Sequence, residues 1–106
     1  MVGKTFRVLF SGLALRRVGQ VYGFEERVNG RKRAQAVRQE IFQQISQLEK
    51  LPASNPLYPD GERKDIRYRK AYSYKIVFRI LEQAEEVLIL TVRNDAEDPN
   101  KIKDEL

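Results

Sequence analysis

Arg67 and Arg69 stand two residues apart, and Lys75 and Arg79 four apart, in a stretch rich in β-branched and aromatic residues. On a strand, each spacing places both members of the pair on one face. If two such strands pair antiparallel and the pairs meet, four cations line a pocket for phosphates or carboxylates. Whether they meet depends on the register set by the turn around Tyr72, which the sequence leaves open. The same pattern also reads as plain solvated surface, because a sheet face turned away from helices must be polar and Arg and Lys suit it. Tyr68, Tyr72 and Tyr74 flank these cations. They could stack on bases, or pack within the sheet, as the alternation of Tyr74 with Ile76 and Phe78 suggests for Tyr74.

Other charged groups carry less chemistry. Arg31-Lys32-Arg33 forms a short basic patch of the kind that meets polyanions, or a merely solvated one, at a position where positive charge opposes the dipole of a starting helix. Arg16 and Arg17 fit the outer face of an earlier helix. Glu82, Glu85 and Glu86 read as a solubilising hairpin tip, and Asp95, Glu97 and Asp98 lack the spacing of a metal-binding loop. The 106 residues include no Cys and no His, which excludes thiol nucleophiles, Cys/His zinc sites and imidazole acid–base chemistry. Any catalysis falls to Lys, Arg, Tyr, Glu, Asp or Ser, with no metal and no cofactor expected. No apolar run approaches the ~18 residues of a membrane span. Met1 to Lys4 lead straight into a strand-like segment without a signal peptide, so a cytoplasmic protein with no membrane partner is expected.

Charge is unevenly distributed. Residues 1–81 hold 17 basic and 7 acidic side chains, whereas residues 82–106 hold 3 and 8. A body this basic attracts polyanions: nucleic acid, an anionic surface or an acidic protein segment.

The elements that must position these groups follow from periodicity. Residues 5–10 read as a short edge strand. Ser11 is placed to cap a helix, along which Ala14, Leu15, Val18, Val21 and Tyr22 recur at helical spacing while Gly19 and Gly23 weaken it. Asn29-Gly30 ends that helix, and a second runs over residues 31–50 with Ala34, Val37, Ile41, Ile45 and Leu48 on one stripe. Two helices joined so tightly form an antiparallel hairpin. Pro52, Pro56, Pro59 and Gly61 punctuate a helix-free connection of about 14 residues, and a connection that long is often functional. Residues 66–72, 74–81 and 87–93 then read as three strands. The expected architecture is one α+β domain over residues 1–106: an N-terminal strand, then a helical hairpin packed on an antiparallel sheet, in the order β-α-α-β-β-β. The expected core comprises Leu15, Val18, Tyr22, Val37, Ile41, Ile45, Tyr74, Ile76, Phe78, Leu88 and Leu90. The polar tail from about residue 95 is expected to be partly mobile.

Over residues 5–103 the chain resembles the RelE/ParE family of toxins from bacterial type II toxin–antitoxin modules. The stretches that carry the resemblance are Asp65-Ile66-Arg67, Ser73-Tyr74-Lys75-Ile76-Val77-Phe78-Arg79-Ile80, the first-helix pattern of Ser11, Ala14, Val18, Val21 and Tyr22, the second-helix exit from Ile41 through Leu51-Pro52, and Pro99-Asn100-Lys101-Ile102. The resemblance implies a growth-inhibiting toxin neutralised by a cognate antitoxin, whose flexible acidic segment would meet Arg67, Arg69, Lys75 and Arg79 in a toxin–antitoxin hetero-oligomer. It leaves two targets. RelE-like members cut mRNA in the ribosome without a metal, and in that reading Arg67, Lys75 and Arg79 are the catalytic positions, with Lys75 as a base if its neighbours tune it. ParE-like members bind DNA gyrase, and in that reading Arg16, Arg17, Arg31, Lys32 and Arg33 on the helical hairpin face the target. Many family members carry a His or Tyr and a following Arg after the last strand, and here Asn94 and Glu97 stand instead, which favours the gyrase reading. Tyr72 is the residue a divergent nuclease could recruit in their place. A third reading is an inactive homologue kept for binding.

Overall fold

The computed structural model describes residues 4–59 and 65–95. The tail from residue 96, with Glu97 and the Pro99-Asn100-Lys101-Ile102 segment, lies outside the described residues, as do Met1 to Gly3 and residues 60–64.

The expected order of elements is present. Strand β1 (Arg7–Phe10) leads to helices α1 (Gly12–Asn29) and α2 (Arg31–Ser46), then to strands β2 (Ile66–Ala71), β3 (Tyr74–Leu81) and β4 (Glu86–Asn94). Ser11 caps α1 as its sequence position predicts. Its hydroxyl accepts from the Ala14 amide at 2.9 Å and donates to the Leu90 carbonyl at 2.9 Å, tying the helix start to β4. Gly30 alone separates the helices, at φ 89°, a conformation that costs glycine little and other residues much. The second helix is shorter than its periodicity suggests. It tightens after Ser46 into a 3-10 turn (Gln47–Glu49), and a second such turn (Pro52–Ser54) occupies the connection expected to be helix-free. Proline at the start of that turn and the left-handed Leu51 before it account for the break in the α-helix.

The sheet runs β1-β4-β3-β2. β2, β3 and β4 are antiparallel, and β1 joins the edge of β4 in parallel. The helical hairpin covers one face, where Ala14, Val18, Val21, Val37, Ile41, Ile45 and Leu48 meet Tyr74, Ile76, Phe78, Val87, Ile89 and Val92. Burying a side chain such as Phe78 contributes ~2–3 kcal/mol. Three expected core positions are corrected, and a fourth, Leu90, is buried as expected but on the other face. Leu15 is 55% exposed and Tyr22 half-buried, because the buried stripe of α1 runs through Ala14, Val18, Val21 and Glu25 instead. Leu88 and Leu90 belong to the opposite face, in a second cluster with Tyr58, Ile66, Tyr68 and Val77. The reason is a bulge: Val77 opposes Thr91 and Phe78 opposes Ile89, leaving Leu90 as an extra residue on β4. Before the bulge odd-numbered residues face the helices, and after it even-numbered ones do, so strict alternation assigns this strand wrongly.

Candidate functional site

Register decides what the cations can do together. Residues directly opposite in an antiparallel pair share a face. Arg67 opposes Phe78 and Arg69 opposes Ile76, both core residues, so these arginines rise from the helix-covered side. Lys70 opposes Lys75, and Lys75 opposes Arg93, on the outer side. Arg79 opposes Ile66 on that outer side as well. The four cations singled out in the sequence therefore divide two and two across the sheet, and no one phosphate-sized site touches both pairs.

The helix-side pair is bound into the structure. Arg67 Nη1 donates to the Asn55 carbonyl at 2.6 Å. Arg69 donates through Nε to Gln44 Oε1 at 2.7 Å and through Nη1 to Asn55 Oδ1 at 3.2 Å. They fasten the connection after α2, and α2 itself, to β2. The same connection pairs with the outer edge of β2 through the Tyr58 amide to the Ile66 carbonyl, 2.8 Å, and the Tyr68 amide to the Pro56 carbonyl, 3.1 Å. It thereby covers an edge that would otherwise be open.

The outer-face cations meet carboxylates. Lys70 Nζ lies 2.9 Å from Asp95 Oδ2 and Lys75 Nζ 3.0 Å from Asp95 Oδ1, while Arg79 Nε lies 3.1 Å from Asp65. Hydrogen bonds from Lys70 and then Lys75 hold the Asp95 carboxyl below its ordinary range, and Asp95 in turn raises Lys70. The Lys75 ammonium also sits 5.1 Å from the ring centre of Tyr68 and 5.8 Å from that of Tyr58. Tyr58 is buried and stands edge-on to Tyr68, with ring centres 5.9 Å apart.

Tyr74 is on the other side. Its hydroxyl donates to Glu25 Oε2 at 2.6 Å, and Glu25 also accepts from Asn29 at 3.0 Å and lies 4.0 Å from Arg33. Burial first, then the hydrogen bond and charge of Glu25, push the Tyr74 hydroxyl well above its ordinary range. Asn94 hydrogen-bonds the same hydroxyl. A cavity of about 340 Å³ opens beside this group, between α1 and the ends of β3 and β4, with Arg17, Gln20, Phe24, Tyr74 and Asn94 in its wall. Glu25 went unnoticed in the sequence. The signal that reveals it is its place one helical turn beyond Val21, on the buried stripe of α1.

The helix-hairpin cations are spread out. Arg16 is exposed and Arg17 half-buried. At the start of α2, Arg31 lies 3.8 Å from Glu26, and the Arg33 guanidinium lies 4.5 Å from the centre of the Tyr72 ring. Tyr72 holds φ 53° at the β2–β3 turn, uncommon for a bulky residue, and is 48% exposed. The carboxylates of α1 and this ring balance charge that would otherwise oppose the dipole of α2. Glu86 of the acidic tip pairs with Arg7 on the edge strand. Among the described residues no group of His, Cys, Asp or Glu could hold a metal ion, and no helix is long and apolar enough to cross a membrane.

A strand, a helical hairpin and three antiparallel strands make up a fold that solved toxin structures share. The chromosomal ParDE toxin–antitoxin system of P. aeruginosa superposes with a TM-score of 0.72 at 17% identity, over 85% of this chain and 96% of that one. The RelBE2 toxin–antitoxin complex of Mycobacterium tuberculosis gives 0.64 at 18%, over 91% and 98%. An arginine-substituted E. coli RelE in the free state gives 0.64 at 15%, over 95% and 93%. The sequence model of the ParE toxins of parDE type II toxin–antitoxin systems matches residues 8–99, and the chain belongs to that family. No curated protein matches the sequence.

Proposed function

We propose that this chain acts as a ParE-like toxin: it inhibits growth by binding DNA gyrase rather than by cutting RNA, and a cognate antitoxin neutralises it. The observation that carries the reading is the division of the cations across the sheet: Arg67 and Arg69 rise from the helix-covered face, Lys75 and Arg79 from the outer one. A phosphoryl-transfer site gathers its positive charge where negative charge develops, and cations split between two faces do not do so. Arg67 is held by Asn55 on the opposite side of the sheet, away from Lys75 and Arg79. Tyr74 is committed to a buried carboxylate, with its hydroxyl too weak an acid to exchange protons near neutrality. Asn94, at the end of β4, cannot exchange one either. The family match favours the same side, since it is to ParE toxins.

In this reading the target-facing surface is the helical hairpin with Arg16, Arg17, Arg31, Lys32 and Arg33. The antitoxin meets the outward cations Lys75 and Arg79, while Arg67 and Arg69 serve it indirectly by fixing β2 and the connection after α2. An antitoxin partner is supported by the two structural relatives that are themselves toxin–antitoxin assemblies. The experiment is a supercoiling assay with purified gyrase. The chain should block supercoiling, and a variant with Arg16, Arg17 and Lys32 all changed to Ala should block it less. Full gyrase activity at a toxin excess that arrests growth in cells overturns the reading.

A further inference from the structure

Lys70, Lys75 and Arg93 form one row across β2, β3 and β4 on the outer face. Like charges directly opposite on adjacent strands repel and destabilise the pairing. Asp95 answers this by placing one carboxylate oxygen on each lysine, at 2.9 and 3.0 Å. Its backbone amide donates to the Ser73 carbonyl at 2.6 Å, which fixes it over the β2–β3 turn. The pairing is open to water at Lys70, whose side chain is 55% exposed, and partly so at Asp95, 33%, while Lys75 is the more buried partner at 16%. Exposed pairs of this kind are weakly held and screened by salt.

We infer that Asp95 is a placeholder, occupying a two-lysine anion site that a carboxylate of an acidic peptide partner takes over on binding. The group now between the lysines is itself a carboxylate, so the site already displays the geometry its ligand needs. A peptide fits better than a nucleic acid. Tyr58 is 4% exposed and stands edge-on to Tyr68, which leaves no open pair of ring faces for stacking bases. Half-buried Tyr68, 5.1 Å from Lys75, and half-buried Leu88 on the same outer face offer apolar ground for a peptide instead. The identification of that peptide as the antitoxin's acidic segment rests on the toxin reading above; the two-lysine site does not.

Asp95 then works as an internal competitor. Removing its charge should strengthen binding of an acidic partner, the reverse of what losing an ordinary structural ion pair does. The test is fluorescence anisotropy at low salt with two labelled probes: a 12-residue peptide alternating Glu and Leu, and a 12-nucleotide single-stranded DNA. Asp95→Asn and Asp95→Ser should each tighten peptide binding by about twofold to fivefold, the scale of an exposed charge pair. The gain should vanish when Lys70 and Lys75 are also Ala, which isolates the coupling, and it should shrink as salt rises. Unchanged or weaker peptide binding in both Asp95 variants overturns the inference, as does a gain that survives loss of the lysines. Tightening for the DNA alone overturns it in favour of a phosphate site. Gyrase inhibition is read in a separate assay, so failure of the toxin reading and failure of this site are distinguishable.

Discussion

The two faces of the sheet use the same residue types for opposite purposes. On the helix side, Arg67 and Arg69 are consumed by the fold, bonded to Asn55 and Gln44, and Tyr74 is consumed by Glu25. On the outer side, Lys70, Lys75 and Arg79 carry partners that are themselves charged, half-buried Asp95 and exposed Asp65. A hydrogen bond from a cation to a half-buried amide is worth ~1.5–3 kcal/mol, whereas an exposed ion pair is worth ~0–1. The helix-side contacts therefore hold the domain more firmly than the outer-face ones do. One position of parity along a strand separates an arginine bonded into the fold from a lysine paired with an outer-face carboxylate.

That contrast can be broken at several points. The largest effect is expected in the helix-side core: Ile45 is 3% exposed, and Ile45→Asp should unfold the domain, because an unpaired charge there costs several kcal/mol. A variant with an unchanged urea midpoint contradicts the packing of α2. Next comes Tyr74→Phe, which leaves the buried Glu25 short of a donor and should cost about 1–3 kcal/mol. It should also change the alkaline limb of stability. The folded-state pKa of Tyr74 is raised above the ordinary 10.0, so its contribution is complete below pH 10 and is lost as pH rises beyond it, by up to about 1.4 kcal/mol per pH unit. Stability of Tyr74→Phe should fall less steeply above pH 10 than that of the parent chain, as read by thermal melts across pH.

The sharpest form of the comparison sets Arg69→Ala beside Arg79→Ala. The first should lose about 1–3 kcal/mol of stability, with any change in antitoxin affinity following from the loss of fold. The second should lose about 1 kcal/mol or less, yet weaken antitoxin binding and flatten its salt dependence. Equal destabilisation by both, in parallel denaturant titrations, contradicts the division of labour. The smallest effect is on α1. Nothing lies within 4 Å of a Cβ built on Gly23, so Gly23→Ala should raise stability by about 0.5–1 kcal/mol.

Much of this was legible in the residues. Ser11 as a cap, Gly30 as the hairpin turn, the α2 stripe and the bounds of β3 all follow from local chemistry, because each depends on residues within a turn of one another. The failures share a cause. The division of the cations depends on Lys70 standing opposite Lys75, a register fixed by the two-residue turn at Tyr72 and Ser73 and by Ile66 and Tyr68 packing outward with Tyr58. The faces of β4 depend on the bulge at Leu90, which strict alternation cannot anticipate in a strand apolar on both sides. Lys70 goes unnoticed in the sequence and Asp95 reads there only as lacking metal-loop spacing, because the two are distant along the chain and only the meeting of β4 with the β2–β3 turn brings them together.

The claim that this face binds rather than cuts is tested most directly by adding the purified protein to translating ribosomes and mapping the ends of the mRNA. The account predicts intact messages, with at most salt-sensitive, sequence-independent RNA binding, since a nuclease without its acid loses 10²–10⁴-fold in rate, a typical value for general acid–base help. Discrete cuts at the ribosomal A site that disappear in Lys75→Ala would contradict it and make the chain an endonuclease.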